Sequence, residues 1–511
     1  MTATASRRGF IRGIAGAAAL GAGGCLSWGG GFGGSREKIR LAAVGISGQG
    51  FADWMAMVES GKAELAALCD CDRRRLDDVA SNLRFAALAE RDGIDLDKIP
   101  FYSDYRRLLD DAGILGIRAL AVSTPNHTHA AIAIRAMRMG IHVYVETPLA
   151  RTLKELDYFA KTARESGVVT QMGNQASADA GFRRGVETLQ SGVIGDVREI
   201  HVWTGRPVWP QGSVGESLLS EYSDPIPEGL DWNAWLATAK ERPYRELYHP
   251  FRWRGLFDFG NGALGDMGCH AINLPFRGLE LGICTAAELV SLEDASRTFF
   301  PSRSVVRLSY APRMSAVRNA VLPAADVTWY EGGLLPPTEI TEQLVSPADG
   351  GMGRIPESGC LAIGSDGILF SPGDFGLESF VALYGEAGVQ PVSEHPACRD
   401  VARRIPRLDT DDDASRRTGA VPAPDAQCIE FLDAINGDGP VYGPEDSRCW
   451  SGIGHSVPLT EGILAGVAAQ RFASVAGKSS AILNWDSASQ EFDVKAANPL
   501  TRTYLRRGFE F

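Results

Sequence analysis

Basic residues are the first scarcity. Lys and Arg number 51 against 63 Asp and Glu, a net charge of −12 over 511 residues. A surface of that sign repels polyanions, which argues against nucleic acid or an anionic membrane face as the main partner. Paired cysteine motifs are also missing. Of nine cysteines, only Cys69 and Cys71 stand close together, and C-x-C without a second pair is not a zinc pattern, so no metal site is read. There is no internal repeat. The apolar run 14–26 is too short, and too rich in Gly and Ala, for a convincing transmembrane helix. With 44% apolar and 22% charged residues, the composition is that of an ordinary globular protein with a sizeable core.

What is present begins with an address. Ser6-Arg7-Arg8-Gly9-Phe10-Ile11-Arg12 precedes that apolar run and matches a twin-arginine export signal, which predicts a periplasmic protein. Ala22-Gly23-Gly24-Cys25 loosely resembles a lipoprotein processing site, so a lipid anchor at Cys25 stays open beside a cleaved signal. The Gly-rich stretch 29–34 reads as a flexible tether, making 1–35 signal and tether. Twin-arginine export carries folded proteins, often with a cofactor aboard. A compartment poor in soluble nicotinamide cofactor then favours one that is tightly held.

Behind the tether, strand and helix signals alternate. The apolar run Ile39–Val44 ends in Gly45-Ile46-Ser47-Gly48-Gln49-Gly50, a helical stretch follows, and a second strand at 65–68 ends in Cys69-Asp70. Strand, glycine turn, helix, strand and acid form the dinucleotide-binding layout, in which a pyrophosphate sits on the helix N-terminus. Asp70 falls where a carboxylate bonds the adenosine ribose hydroxyls and repels a 2′-phosphate, which favours NAD over NADP. The strict glycine pattern is broken by Ser47, with Gly48 displaced by one place. Two further strands, 117–122 and 141–145, end in Ser123-Thr124-Pro125-Asn126-His127 and in Glu146-Thr147-Pro148. Ligands bind at such carboxyl ends. Asn126 and His127 are placed to reach the nicotinamide ribose, although Asn126 has a helix-capping alternative.

In the stretch 260–273, Asp266 and His270 stand four residues apart and share one helix face. A carboxylate under an imidazole orients the ring for general acid–base work. Gly260, Gly262 and Gly265 before the pair allow close approach of backbone to a ligand. Between Trp203 and Trp253 the chain is rich in aromatics and arginines, including Arg206, Trp209, Trp232, Trp235, Tyr248, His249 and Trp253. Sugar rings stack on indoles and arginines grip hydroxyls or carboxylates, so this stretch reads as a saccharide cleft, with aromatic core as the alternative. Arg206, His249 and Trp253 are the substrate candidates.

The ordered set S-T-P-N-H-T-H, E-T-P-L, Gln171-Met172-Gly173-Asn174-Gln175 and G-D-M-G-C-H resembles the Gfo/Idh/MocA oxidoreductases, and most closely their exported branch. The resemblance implies an α/β subunit: a Rossmann NAD-binding domain over 36–170, then a substrate and oligomerisation domain over 171–511. The second domain would carry an open, mostly antiparallel sheet, and late helices would return to the first. It implies a homo-oligomer that transfers hydride between NAD and a sugar hydroxyl or carbonyl. His270 would be the general acid/base, and Asp266 would hold its ring or contact the sugar. By the same resemblance Gly45, Ser47, Gly48, Gln49, Gly50, Asp70, Thr124, Pro125, Asn126, His127, Glu146, Thr147 and Asn174 line the cofactor. One departure stands out. The family's E-K-P lysine, which lies beside the reacting oxygen, is Thr147 here, and a threonine hydroxyl carries no positive charge. His270 alone, or a cation such as Arg151, Arg252 or Arg254, would then have to suffice. Otherwise the chemistry shifts, either to glycoside cleavage through transient oxidation by a retained NAD or to binding without turnover.

Farther on, 287–291, 305–310, 327–330 and 361–369 read as strands of the second sheet, and 426–435 and 459–472 as helices. Residues 312–359 and 391–424 read as loop-like insertions, with the acidic run 409–413 a solvated loop.

Overall fold

Six short apolar strands build the first sheet in the computed structural model, which describes residues 37–219, 222–345, 354–407, 423–439 and 449–511. They are β1 (Ile39–Val44), β2 (Ala63–Cys69), β3 (Phe101–Tyr102), β4 (Ala119–Val122), β5 (His142–Glu146) and β6 (Thr170–Gly173). Their order is β3-β2-β1-β4-β5-β6, with every neighbouring pair parallel. The order reverses between β1 and β4, and that switch point opens a crevice at the strands' carboxyl ends. Helices cover both faces, so β1, β2 and β4 are almost continuously apolar and buried. The strand read at 117–122 begins only at Ala119. Ile117 still belongs to the preceding helix end, where its N–H donates to Ala112 O at 2.9 Å.

The second sheet is wider. It contains β7 (Glu199–Trp203), β8 (Cys284–Glu293) and β9 (Arg303–Tyr310), while β10 (Arg313–Ser315) and β11 (Ala320–Leu322) form a separate hairpin. It continues with β12 (Ala325–Glu331), β13 (Gly359–Ile363), β14 (Gly367–Pro372), β15 (Phe380–Leu383), β16 (Gln390–Pro391), β17 (Ala481–Asp486) and β18 (Glu491–Phe492). The order is β16-β15-β14-β13-β7-β12-β9-β8-β17-β18, and β7–β12 is its parallel pair in an otherwise antiparallel set. The single strand read at 361–369 is two, because Gly364 N–H donates to Gly367 O at 2.9 Å and closes a hairpin turn. The stretch 312–359 is less loop-like than its Pro and Gly content suggests, since it holds β10 to β12 and the helix Thr338–Val345. The export signal, Cys25 and the acidic run 409–413 lie outside the described residues.

Two late helices tie the layers together. Ala423–Asn436 packs on the helix Gln49–Glu59 and on the turn Gln175–Ala178, and the Tyr144 hydroxyl donates to Gln427 Oε1 at 2.9 Å. Ile453–Ala476 lies against β8, β9 and the helices Leu153–Ser166 and Gly262–Ala271. It is apolar nearly all round, as a helix enclosed on several sides must be. Close packing here depends on small residues: a Cβ at Gly466 would meet Leu264 Cδ2 at 2.8 Å.

Candidate active site

The crevice widens into a cavity of about 1070 Å³ lined from both sheets. At one end stands the glycine turn. Gly45 has φ +83° and backs onto Ser123 so closely that a Cβ would lie 2.3 Å from its carbonyl oxygen. Gly48 has φ +60°, and nothing lies within 4 Å of where its Cβ would be. That gap adjoins the N-terminus of Gln49–Glu59, whose first N–H groups lack intrahelical partners, so the turn fits a pyrophosphate. Asp70 closes β2 and accepts from the N–H groups of Ile46 (3.1 Å) and Asp72 (3.0 Å). Burial pushes its carboxyl up to about 6, against those hydrogen bonds. The donor set, the open gap and the cavity volume together accommodate a dinucleotide and a small substrate.

Gly45, Ser47, Gly48, Gln49, Gly50, Asp70, Thr124, Pro125, Asn126, Glu146 and Thr147 all line the cavity. Two cofactor candidates do not. His127 turns away: its Nε2 donates to Trp235 O at 3.1 Å, and the ring packs on Trp235 and Phe259. Burial, then Arg151, pulls its pKa down to about 3, so it is a neutral core histidine. Asn174 is buried beneath the floor, accepting from Gln427 Nε2 at 3.1 Å. The next residue, Gln175, lines the cavity instead, and its amide donates to Glu146 Oε1 at 2.5 Å. The signal for Gln175 was the turn Gln175–Ala178 directly after β6. Asn126 is the first residue of its helix rather than its cap. It donates to Asn261 Oδ1 at 3.0 Å, and Asn261 stands at the N-terminal boundary of the helix Gly262–Ala271.

In that helix Asp266 and His270 are the two residues only half-buried, and both face the cavity. They do not bond each other. Arg254 Nε donates to Asp266 Oδ1 at 3.1 Å, so the carboxylate is engaged by a guanidinium and does not orient the imidazole. His270 Nε2 lies 3.2 Å from Thr147 Oγ1, and Nδ1 is buried without a partner among the described residues. Burial, then the charge of Arg206, brings its pKa down to about 4, leaving a neutral ring at physiological pH. Burial raises the Asp266 carboxyl, with Arg254 opposing. The glycines before the pair serve internal packing rather than a ligand: a Cβ at Gly260 would meet Arg254 O at 2.3 Å, and one at Gly262 would meet Phe300 at 2.7 Å.

Arg206, His249 and Trp253 line the cavity as well. His249 is committed elsewhere, its Nε2 donating to the fully buried carboxylate of Asp72 at 3.1 Å. The broader saccharide cleft is mostly core. Trp203 is wholly buried, while Trp232, Trp235, Tyr244 and Tyr248 belong to one packed cluster from which Trp235 and Trp253 reach the cavity. Of the alternative cations, Arg151 is buried and donates to Phe257 O, and Arg252 is exposed. Arg254 lines the cavity but is paired with Asp266. Phe375 and Leu377, from the loop after β14, complete the wall beside His270, with no sequence signal to announce them.

A doubly wound domain with a glycine turn and a strand-end acid, facing an Asp/His helix across a shared cavity, has the layout of a dinucleotide-binding protein. Residues 39–174 match the NAD-binding Rossmann fold of the Gfo/Idh/MocA oxidoreductase family and residues 187–277 its C-terminal alpha/beta domain. Among curated relatives, glycosyl hydrolase family 109 protein 2 of Akkermansia muciniphila is 28% identical over 164 residues, covering 31% of this chain and 32% of that protein. Levoglucosan dehydrogenase of Pseudarthrobacter phenanthrenivorans is 26% identical over 173 residues, covering 34% and 35%. The match thus spans about a third of each relative's length. An inositol dehydrogenase homologue from Azotobacter vinelandii, solved with NADH and myo-inositol, shares the fold, with a TM-score of 0.53 at 16% identity over 88% of this chain and 98% of that one.

Proposed function

We propose that this protein is an NAD-dependent oxidoreductase acting on a hydroxyl or carbonyl carbon of a sugar or sugar derivative. The carrying observation is that Asp266 and His270, half-buried in an otherwise buried helix, face the same cavity as the glycine turn and Asp70. The dinucleotide, when bound, supplies the hydride acceptor. His270 Nε2 takes the hydroxyl proton of the substrate, which requires the neutral ring that burial maintains. Thr147 holds that nitrogen in place, and Asp266 with Arg254 presents a fixed polar pair to neighbouring hydroxyls. The names of the levoglucosan and inositol relatives support a polyhydroxylated substrate. The twin-arginine pattern supports export to the periplasm, and hence a tightly held cofactor.

A second reading is glycoside cleavage by transient oxidation with a retained NAD. It is favoured by Thr147, which leaves the site without the lysine its family resemblance predicts, and by the likeness to a family 109 glycosyl hydrolase. One experiment separates the two. The purified protein is incubated with sugars and with glycosides, then denatured, and the released small molecules are analysed by mass spectrometry. A dinucleotide whose redox state changes with a sugar supports the oxidoreductase. An unchanged dinucleotide beside a cleaved glycoside moves the assignment to the second reading. His270→Ala should cut either turnover by ~100-fold or more while sparing dinucleotide binding.

A further inference from the structure

We propose that the substrate carries a carboxylate and that Arg206 receives it. This deepens the oxidoreductase reading and rests on it. The argument begins with the charges on the cavity wall near His270, which are Arg206, Arg254 and Asp266. Arg254 and Asp266 cancel each other at 3.1 Å, and the Arg254 guanidinium is further held over the rings of Trp253 (4.4 Å) and Phe251 (4.6 Å). The other carboxylates of the lining are also committed. Asp78 pairs with Arg75 at 2.6 Å, Asp70 accepts two backbone amides at the ribose end, and Glu146 accepts from Gln175. Among the described residues the Arg206 guanidinium has no hydrogen bond or ion pair, although it is partly buried.

A partly buried guanidinium without an anion is costly, and its planar fork matches a carboxylate in a bidentate pair. A neutral sugar does not meet that need. The position is also fixed in advance. Arg206 follows the carboxyl end of β7, its N–H donates to Thr204 Oγ1 at 3.3 Å, and its carbonyl accepts from Gly332 N–H at 2.7 Å. Its charge acts on both Asp266 and His270, so the carboxylate it receives lies a few atoms from the reacting hydroxyl. A uronic acid, with acid and hydroxyls on one ring, has that geometry.

The rival role for Arg206 is to replace the missing lysine charge beside the reacting oxygen, and the two roles differ kinetically. The test uses the full chain with bound dinucleotide, neutral aldohexoses, their matched uronates and their 6-phosphates, and the variants Arg206→Met and Arg206→Lys. Calorimetric binding is measured beside turnover. The wild type should bind uronates at least ~10-fold more tightly than the parent sugars, a preference that Arg206→Met abolishes and Arg206→Lys partly keeps. In turnover, Arg206→Met should raise KM for the uronate ~10-fold or more, with kcat changed by less than about threefold. Equal binding of uronate and neutral sugar, or a preference for the phosphates, overturns the proposal. An equal fall of kcat on both sugar classes overturns it in favour of the oxyanion role. Uronate binding that depends on Arg206 without redox change of the dinucleotide keeps the carboxylate site and removes the oxidoreductase reading.

Discussion

The hydroxyl of Thr147 lies 3.2 Å from Nε2 of His270, joining the carboxyl end of β5 in the first sheet to a helix packed on the second. The reacting end of the cavity is therefore made of two layers, and this hydrogen bond is one of those that join them. Thr147→Val removes that bond while keeping the shape. A lost hydrogen bond of ~1 kcal/mol predicts a kcat/KM lower by about fivefold. The dinucleotide dissociation constant, measured in parallel, should stay unchanged.

Acidification should inactivate late. The His270 pKa is brought down to about 4 from an ordinary 6.5 by burial and by Arg206, so the neutral ring that accepts a proton persists at pH 5. With saturating dinucleotide, kcat/KM for hydroxyl oxidation should hold from neutral pH to about 5 and fall near 4. Asp266→Asn should retain that limb, since Asp266 does not bond the ring. A limb at 6.5 would mean that bound dinucleotide restores an ordinary histidine.

Dinucleotide affinity should have its own, higher transition. Burial pushes the Asp70 carboxyl up to about 6, and if Asp70 takes the proposed ribose hydroxyls, the ionised form is the better acceptor. Affinity is therefore full above pH 6 and declines as pH falls through it. Titration at pH 8 and pH 5 should differ by roughly tenfold, one pKa unit of protonation. Asp70→Asn should flatten that dependence and weaken binding at pH 8.

Asp72 is fully buried and fastens the loop that carries Trp253 and Arg254, through His249 at 3.1 Å and through Arg74 and Arg75. Burial opposes ionisation there, yet the hydrogen bonds from Arg74, His249 and Arg75 hold its carboxyl well below the usual range. The stability it supplies is present above the unfolded value of about 3.9 and is lost as pH falls toward the lower folded value. Asp72→Ala should cost ~1–3 kcal/mol, read as a lower Tm at pH 7, with the deficit shrinking in acid. Substrate KM should rise with it, because the wall loses its anchor.

Local chemistry in the sequence reaches as far as a few turns of backbone. A glycine turn with two positive φ angles admits few residues other than glycine, a ribose acid must close the next strand, and i,i+4 spacing puts two side chains on one face. The placement of Gly45, Gly48, Asp70, Asp266 and His270 along the cavity was legible for these reasons. The tryptophans between 203 and 253 were not, because a large amphipathic ring serves a core and a sugar cleft equally well. Which role each takes depends on what packs against it.

The sequence by itself determined the α/β class, the glycine turn and the helix that carries Asp266 and His270, all from signals within about twenty residues of chain. Only the tertiary structure decided who touches whom in the site. Arg254 takes Asp266, Thr147 meets His270, Asp72 captures His249, His127 turns into the core, and Arg206 is left facing the cavity without an ion pair among the described residues. These pairs are separated by up to 177 positions, and no local periodicity encodes such a distance. It is set by which apolar faces bury against each other, and the polar partners follow from where that packing leaves them.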